Sequence, residues 1–337
     1  MSLDYYIQSM LPAIEDELKK SVADTDAAYL EEFCYMLSYH LGWQGEGAGV
    51  EARGKRVRPL LTLLTAAAAG GEWEHALPAA AAIELVHNFS LIHDDIQDNS
   101  LSRRGRPTVW RLWGIAQAIN AGDAMFTLAH LSMARLASTT STIVAYQANK
   151  ILQLTCLHLT QGQYLDLSYE ARSDLDIESY WPMVSNKTAA LFGACTEIGA
   201  LSAGAEESII ACYRVFGHSL GLAFQVYDDI LGIWGDTAIT GKSIQSDMLT
   251  GKKSLPILFG LSLGGQFARR WTQGRITPEE IPALARLLEQ EGAHAFTQEH
   301  VSSLTGKALT ALDQAEPSGE AGLALRDLAL GLINRQG

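Results

Sequence analysis

Leu91-Ile92-His93-Asp94-Asp95-Ile96-Gln97-Asp98 is the stretch that decides the fold, with the turn Arg103-Arg104-Gly105-Arg106-Pro107-Thr108 directly behind it. Working outward, Pro78 to Phe89 has the alanine and leucine content of a strong helix former and no interior glycine. The pattern predicts one long helix, Pro78 to Asp98, closed by the acidic cluster. Carboxylates in a last turn oppose the negative end of the helix dipole, and these follow a nearly uncharged apolar face, so a cation is expected beside them. Asp94 and Asp98, four apart, share a face about 6 Å apart along the axis, whereas Asp95 lies roughly 100° round. Two carboxylates so placed suit magnesium, which takes oxygen ligands and is held by one or two carboxylates plus substrate phosphates. The competing reading is a solvated acidic helix end.

A second copy of the pattern decides between them. In Phe224-Gln225-Val226-Tyr227-Asp228-Asp229-Ile230-Leu231-Gly232 another Asp pair follows an apolar helical run. Lysine-bearing loops come next, Thr240-Gly241-Lys242-Ser243-Ile244-Gln245-Ser246-Asp247 and then Gly251-Lys252-Lys253-Ser254. Two helix-borne Asp pairs, each followed by basic residues, imply one anionic, metal-bridged ligand between two facing helices. Gly42 to Gly54 reads as a loop that delivers Lys55, Arg56 and Arg58 just before Pro59 opens a helix. Free N–H groups and basic side chains together favour an anion there. Lys187-Thr188 precedes the small apolar run Ala189 to Cys195, so a lysine entering an uncharged face also wants an anion.

With 337 residues the chain is long for one domain, yet nothing reads as a linker, and a single domain over 1–337 is expected. An apolar fraction of 47% and a formal net charge of -13 fit a soluble acidic protein and exclude a nucleic-acid footprint. Cys34, Cys156, Cys195 and Cys212 have no metal-ligand or redox spacing and sit in apolar runs, which reads as reduced core thiols of a cytoplasmic protein. No apolar stretch reads as long enough to span a membrane, and the N-terminus lacks a basic region followed by an apolar one. Asp4 to Lys20 and Asp24 to Leu41 read as amphipathic helices; others are expected from about Val109, Asn120 and Thr142, and again beyond Pro256. No short β-branched runs alternate with turns, so the fold class is all-α and strands are not expected.

These motifs in this order resemble the trans-isoprenyl diphosphate synthases, the polyprenyl synthetase family: Gly54-Lys55-Arg56-Val57-Arg58-Pro59, the first Asp cluster with its arginine turn, Lys187-Thr188, Phe224-Gln225 before Asp228-Asp229, and the lysine loop. The resemblance runs from about Arg53 to Pro256 and implies a helical bundle around a central cavity, a homodimer, and head-to-tail transfer of a prenyl group to isopentenyl diphosphate. It gives magnesium, three ions with substrate bound, to Asp94, Asp95, Asp98, Asp228 and Asp229. It gives the allylic diphosphate to Arg103, Lys187, Thr188, Gln225, Lys242 and Lys252, and isopentenyl diphosphate to Gly54, Lys55, Arg58, His87 and Arg104. Gln163 and Asp166 match a pattern near the cavity, and Arg335 is a weaker basic candidate.

One departure stands out. Relatives often carry a third Asp where this chain has Gly232, and Asp236 is the nearby candidate to replace it. In the family, side chains just upstream of the first Asp commonly set product length. Ser90 is small and one turn below Asp94, Phe89 flanks it, and Met125 and Phe126 on a facing helix are candidates to close the space below, along Ala79 to Ala82. This combination implies geranylgeranyl diphosphate (C20) as main product, with farnesyl diphosphate (C15) or longer chains as alternatives. A class I terpene cyclase would have no use for Lys55, Arg58 and Arg104. A non-catalytic partner subunit would be expected to lose one Asp cluster, and this chain keeps both.

Overall fold

The computed structural model describes residues 2–23, 25, 29–235 and 246–333. Its contacts divide the chain into two compact units, one of residues 1–153, 195–211 and 315–328, the other of residues 154–194, 212–314 and 329–337. Each is helical, as the residue pattern predicts.

In the first unit α1 (Leu3–Ala23), α4 (Val57–Ala68) and α6 (Val109–Thr139) pack around α5 (Leu77–Gln97), and α5 against α6 is the most extensive of these contacts. Ala79, Ala80, Ala81 and Ala82 are wholly buried, as are Ile83, Leu85 and Val86. Small side chains bring neighbouring helices close, and each large apolar one contributes roughly 1.5–3 kcal/mol by leaving water. α5 ends as its sequence requires. Asn99 takes the left-handed conformation (φ 52°), its N–H bonds Ile96 O at 3.2 Å, and Ser100 N–H bonds Asp95 O at 2.9 Å. This Schellman closure satisfies the last carbonyls and leaves the Asp cluster at the helix end.

The structure corrects several boundaries. α2 (Glu31–His40) begins later than Asp24, and the loop before Arg58 contains a short helix, α3 (Val50–Arg53). α6 is broken at Gly114 (φ 81°), not near Asn120, because glycine alone accepts that backbone freely. A two-stranded antiparallel hairpin forms where none was expected, β1 (Ser102–Arg103) against β2 (Arg106–Pro107). Arg104 (φ 52°) and Gly105 (φ 73°) both adopt positive φ between them, as a type I′ hairpin turn demands.

α7 (Thr142–Glu170) leads into the second unit. There α8 (Ile177–Val184), capped by Asp176 with Ser179, passes through a π-turn (Ser185–Ala189) into α9 (Ala190–Ser202), whose residues from 195 on belong to the first unit, and α10 (Glu207–Trp234) carries the second Asp pair in its part beyond residue 211. After α11 (Ser246–Thr250) come α12 (Leu255–Ser262), α13 (Gln266–Trp271), α14 (Ile281–Gln290) and α15 (Ala293–Gln314); the last helix is α16 (Gly319–Ile333). Ile233, just past the Asp pair, is buried in one cluster with Met248, Ile257, Phe267, Ile281, Leu284 and Leu288, which fixes that end of α10. By length and composition α10 could cross a membrane, contrary to the expectation of no such stretch; half of its apolar window is buried in protein, as in a core helix.

Candidate functional site

At the end of α5 the three carboxylates part company, as their angular spacing predicts. Asp94 is half-buried and Asp98 exposed, while Asp95 is buried at 2% exposure. The hairpin returns Arg103 onto Asp95 in a bidentate pair, Nη2 to Oδ1 at 2.8 Å and Nε to Oδ2 at 2.9 Å. Burial raises the Asp95 pKa and Arg103 opposes the shift. Asp95 and Arg103 therefore answer each other, and Asp94 and Asp98 are the carboxylates on the outer face.

The basic cluster is built in the same unit. Arg58 Nη1 lies 3.2 Å from His87 Nε2, and since guanidinium only donates, Nε2 accepts. Burial, then Arg58 and Arg104, hold His87 well below its ordinary pKa, so the ring is neutral at pH 7. Arg104 Nη1 donates to Ala52 O (3.0 Å) and Arg53 O (2.9 Å), and its Cζ stands 2.8 Å from where a Cβ on Gly54 would be. Gly54 is thus needed for its positive φ and for the room it leaves Arg104. Lys55 is exposed. Arg56 is a core residue instead, paired with Glu15 at 2.7 Å and Glu84 at 2.8 Å. Arg106, unassigned from sequence, ties the Gly42–Gly54 segment through Tyr39 O, Gln44 O and Glu46 O.

Farther up α5, Ser90 donates to His87 O at 2.8 Å. Phe89 meets Phe126 edge-on at 5.1 Å, and Met125 is wholly buried. Phe126 contacts His130 at 4.7 Å, whose Nδ1 lies 2.9 Å from Asn149 Oδ1.

In the second unit, Lys187 and Thr188 sit on the π-turn, against Gly162 of α7, where a Cβ would fall 2.2 Å from Lys187 N. Lys187 is ion-paired with Asp166. Thr188 donates to Gln225 Oε1 (2.9 Å), and Gln225 Nε2 donates to Asp229 Oδ1 (3.0 Å). Asp229 Oδ2 accepts from Tyr180 Oη (2.7 Å) and Leu255 N (3.0 Å). Burial, with Asp247 adding to it, pushes the Asp229 pKa up to about 7. Asp228 is half-buried and Lys252 exposed. Where relatives place a third Asp, a Cβ on Gly232 would lie 2.7 Å from Asp247 Oδ2: a carboxylate from the far side of the lysine loop fills that place. Sequence reasoning quoted Asp247 without assigning it, and nothing marked Tyr180. Asp236, Lys242 and Arg335 lie outside the described residues.

Among the described residues no group of three or more Asp, Glu, His or Cys side chains is arranged to enclose a metal. Magnesium takes oxygen ligands from one or two hard carboxylates and completes its shell with water and substrate phosphate oxygens, a donor set that half-buried Asp94 and exposed Asp98 could supply. A predominantly helical chain with carboxylates at the end of α5 and the Arg58, His87 and Arg104 cluster in the same unit has the features expected of a prenyl diphosphate synthase. The sequence profile described as Polyprenyl synthetase matches residues 48–278. A (2E,6E)-farnesyl diphosphate synthase of Mycobacterium tuberculosis is 40% identical over 315 residues, 89% of this chain and 86% of that one. A geranylgeranyl diphosphate synthase of the same organism is 38% identical over 293 residues, 85% and 83%. The crystal structure of a polyprenyl synthetase from Streptomyces coelicolor A3(2) superposes with a TM-score of 0.88 at 34% identity, covering 98% of this chain and 100% of that one. The chain belongs to the polyprenyl synthetase family of trans-prenyltransferases.

Proposed function

We propose that the protein condenses isopentenyl diphosphate with an allylic diphosphate and makes geranylgeranyl diphosphate as its main product. The observation that carries the condensation is the Arg58–His87–Arg104 cluster beside the first Asp helix, a second anion site that a cyclase would not need. Lys55, Arg58 and Arg104 take the isopentenyl diphosphate, His87 orienting Arg58. Lys187, Thr188, Gln225, Lys242 and Lys252 take the allylic diphosphate, and Lys187 exchanges Asp166 for it. Asp94 and Asp98 on one helix and Asp228 on the other hold magnesium, with Asp247 in place of the absent third Asp. The bound ions supply Lewis-acid stabilisation of the charge on the leaving group. The lysines add fixed positive charge as the allylic C–O bond breaks and its electron pair leaves with pyrophosphate. The isopentenyl double bond then attacks the allylic carbon, and the proton lost from the adjacent carbon goes to pyrophosphate, so no protein base is required.

The length reading is supported by Phe89, the neighbour of Ser90, whose ring meets Phe126 edge-on at 5.1 Å. The 40% identity to a farnesyl diphosphate synthase favours C15 as the second reading. Four free cysteines support a reducing, cytoplasmic setting, and apolar side chains exposed along α6 and α7 support a homodimer. Incubation with isopentenyl diphosphate, magnesium and each of the C5, C10 and C15 allylic diphosphates, followed by chain-length analysis, tests the reading. A C20 product is expected, C15 would revise the length, and no prenyl product would overturn the activity. Arg58→Ala and Arg104→Ala should raise the KM for isopentenyl diphosphate more than that for the allylic substrate.

A further inference from the structure

We propose that Tyr180 is a positioning residue that acts through Asp229 to hold the Lys187 turn, the second Asp pair and the end of the lysine loop in register, and that Asp229 binds these elements rather than a metal ion. The inference rests on the reading that Lys187, Asp228 and Lys252 handle the allylic diphosphate.

A carboxylate offers about four lone-pair positions. Asp229, 5% exposed, spends three of them on protein donors: Tyr180 Oη and Leu255 N at Oδ2, Gln225 Nε2 at Oδ1. Each donor leads to a different part of the site. Gln225 continues to Thr188, next to Lys187 on the π-turn. Leu255 opens α12, three residues after Lys252. Asp228 is the adjacent residue on α10 and is half-buried. Tyr180 is the fixed point of the chain of bonds: 1% exposed, it packs edge-on against Trp181 at 5.2 Å, and Trp181 stacks on His300 of α15 at 5.5 Å. Deleting its hydroxyl leaves a buried carboxylate one donor short while the ring keeps its place.

Asparagine at 229 can preserve the same connections without the charge. Its oxygen accepts from Tyr180 and Leu255, its amide donates to a flipped Gln225, and the Gln225 amide then donates to Thr188 Oγ1. A metal ligand would not survive that change. The test is calorimetric binding of pyrophosphate in magnesium, with steady-state kinetics for both substrates and thermal melts as a check of folding. Tyr180→Phe should lower pyrophosphate affinity roughly ten- to a hundredfold, the loss of one hydrogen bond to a charged group. It should raise the allylic KM and leave the isopentenyl diphosphate KM unchanged, a split that general loosening would not produce. Asp229→Asn should stay within about tenfold of wild type, whereas Asp228→Asn should lose about a hundredfold or more. Unchanged pyrophosphate affinity in Tyr180→Phe, or equal damage from Asp229→Asn and Asp228→Asn, overturns the inference. Wild-type protein that binds pyrophosphate equally with magnesium and with EDTA overturns the proposed site itself, and the inference with it.

Discussion

Asp94 and Asp95 are adjacent in sequence and sit in opposite environments. Asp94 stands half-buried at the helix end, and Asp95 is buried on Arg103. On the proposed reading, removing Asp94 or Asp228 takes away a metal ligand from a half-buried position rather than an apolar side chain from the core. Asp94→Ala and Asp228→Ala should therefore cost several kcal/mol of transition-state stabilisation, a hundredfold or more in turnover, with little change in melting temperature. EDTA should have the same effect reversibly, and full activity in metal-free buffer would refute the assignment. The buried histidines give a pH signature. Burial and then arginines hold His40 and His87 well below the ordinary histidine value of about 6.5. As pH falls below about 6.5 the unfolded chain takes up protons that the folded chain refuses, so stability drops by up to about 1.4 kcal/mol per pH unit for each. Asp229, raised to about 7, has the opposite sign: below pH 7 the folded chain binds a proton that the unfolded chain does not bind until about pH 4. His218, also lowered by burial, acts with these two histidines, and the three outweigh Asp229 and Asp95, which burial raises, so the melting temperature should fall between about pH 6.5 and 5, less steeply in His40→Gln. An unaltered slope in that variant would remove His40 from the account. Periodicity separated Asp95 from Asp94 and Asp98; that Arg103 would fold back onto it depends on a hairpin turn, which periodicity does not encode.

Helices were legible as elements because their apolar spacing runs for many turns, and α5 matches its expected span within a residue. The π-turn was not, since Ser185-Asn186-Lys187-Thr188-Ala189 reads as ordinary helix and only the approach of α7 distinguishes it. Gly162 permits that approach. A methyl group there would meet backbone at 2.2 Å with no flexible side chain to yield. Gly162→Ala should destabilise by about 1–3 kcal/mol and raise the allylic KM while sparing that for isopentenyl diphosphate; equal effects on both would detach the turn from the allylic site. Product length belongs to the same scale. Ala79 to Ala82, along which open space was expected from sequence, are wholly buried, while Phe89, Phe126 and His130 form a column ending in the His130–Asn149 hydrogen bond. Phe89→Ala should lengthen products beyond C20 and Ser90→Phe should shorten them to C15. A product distribution unmoved by either places the stop on another element.

Across the whole molecule, the sequence pattern was sufficient for an all-helical chain with two Asp-bearing helices; surface pairing was left to family resemblance, because an apolar residue looks the same in sequence whether a core or a partner covers it. The structure locates such residues. On α7, Ile143 (71% exposed), Tyr146 (70%) and Tyr164 (69%) recur with Leu154 and Leu157 at three- and four-residue helical intervals or their multiples. Ile115, Ile119 and Leu131 do the same on α6. Singly exposed apolar residues are ordinary, whereas ones repeated along a helix are what the proposed homodimer would cover. A second copy of the chain is the simplest cover, because a two-fold axis lets one patch serve both sides. Sedimentation should therefore give twice the 36.5 kDa chain mass at micromolar concentration. Ile119→Glu with Tyr146→Glu places unpaired charges in the contact, which costs several kcal/mol per buried ion, and should yield monomers whose helical content is unchanged. A wild-type protein that sediments as a monomer would refute the homodimer.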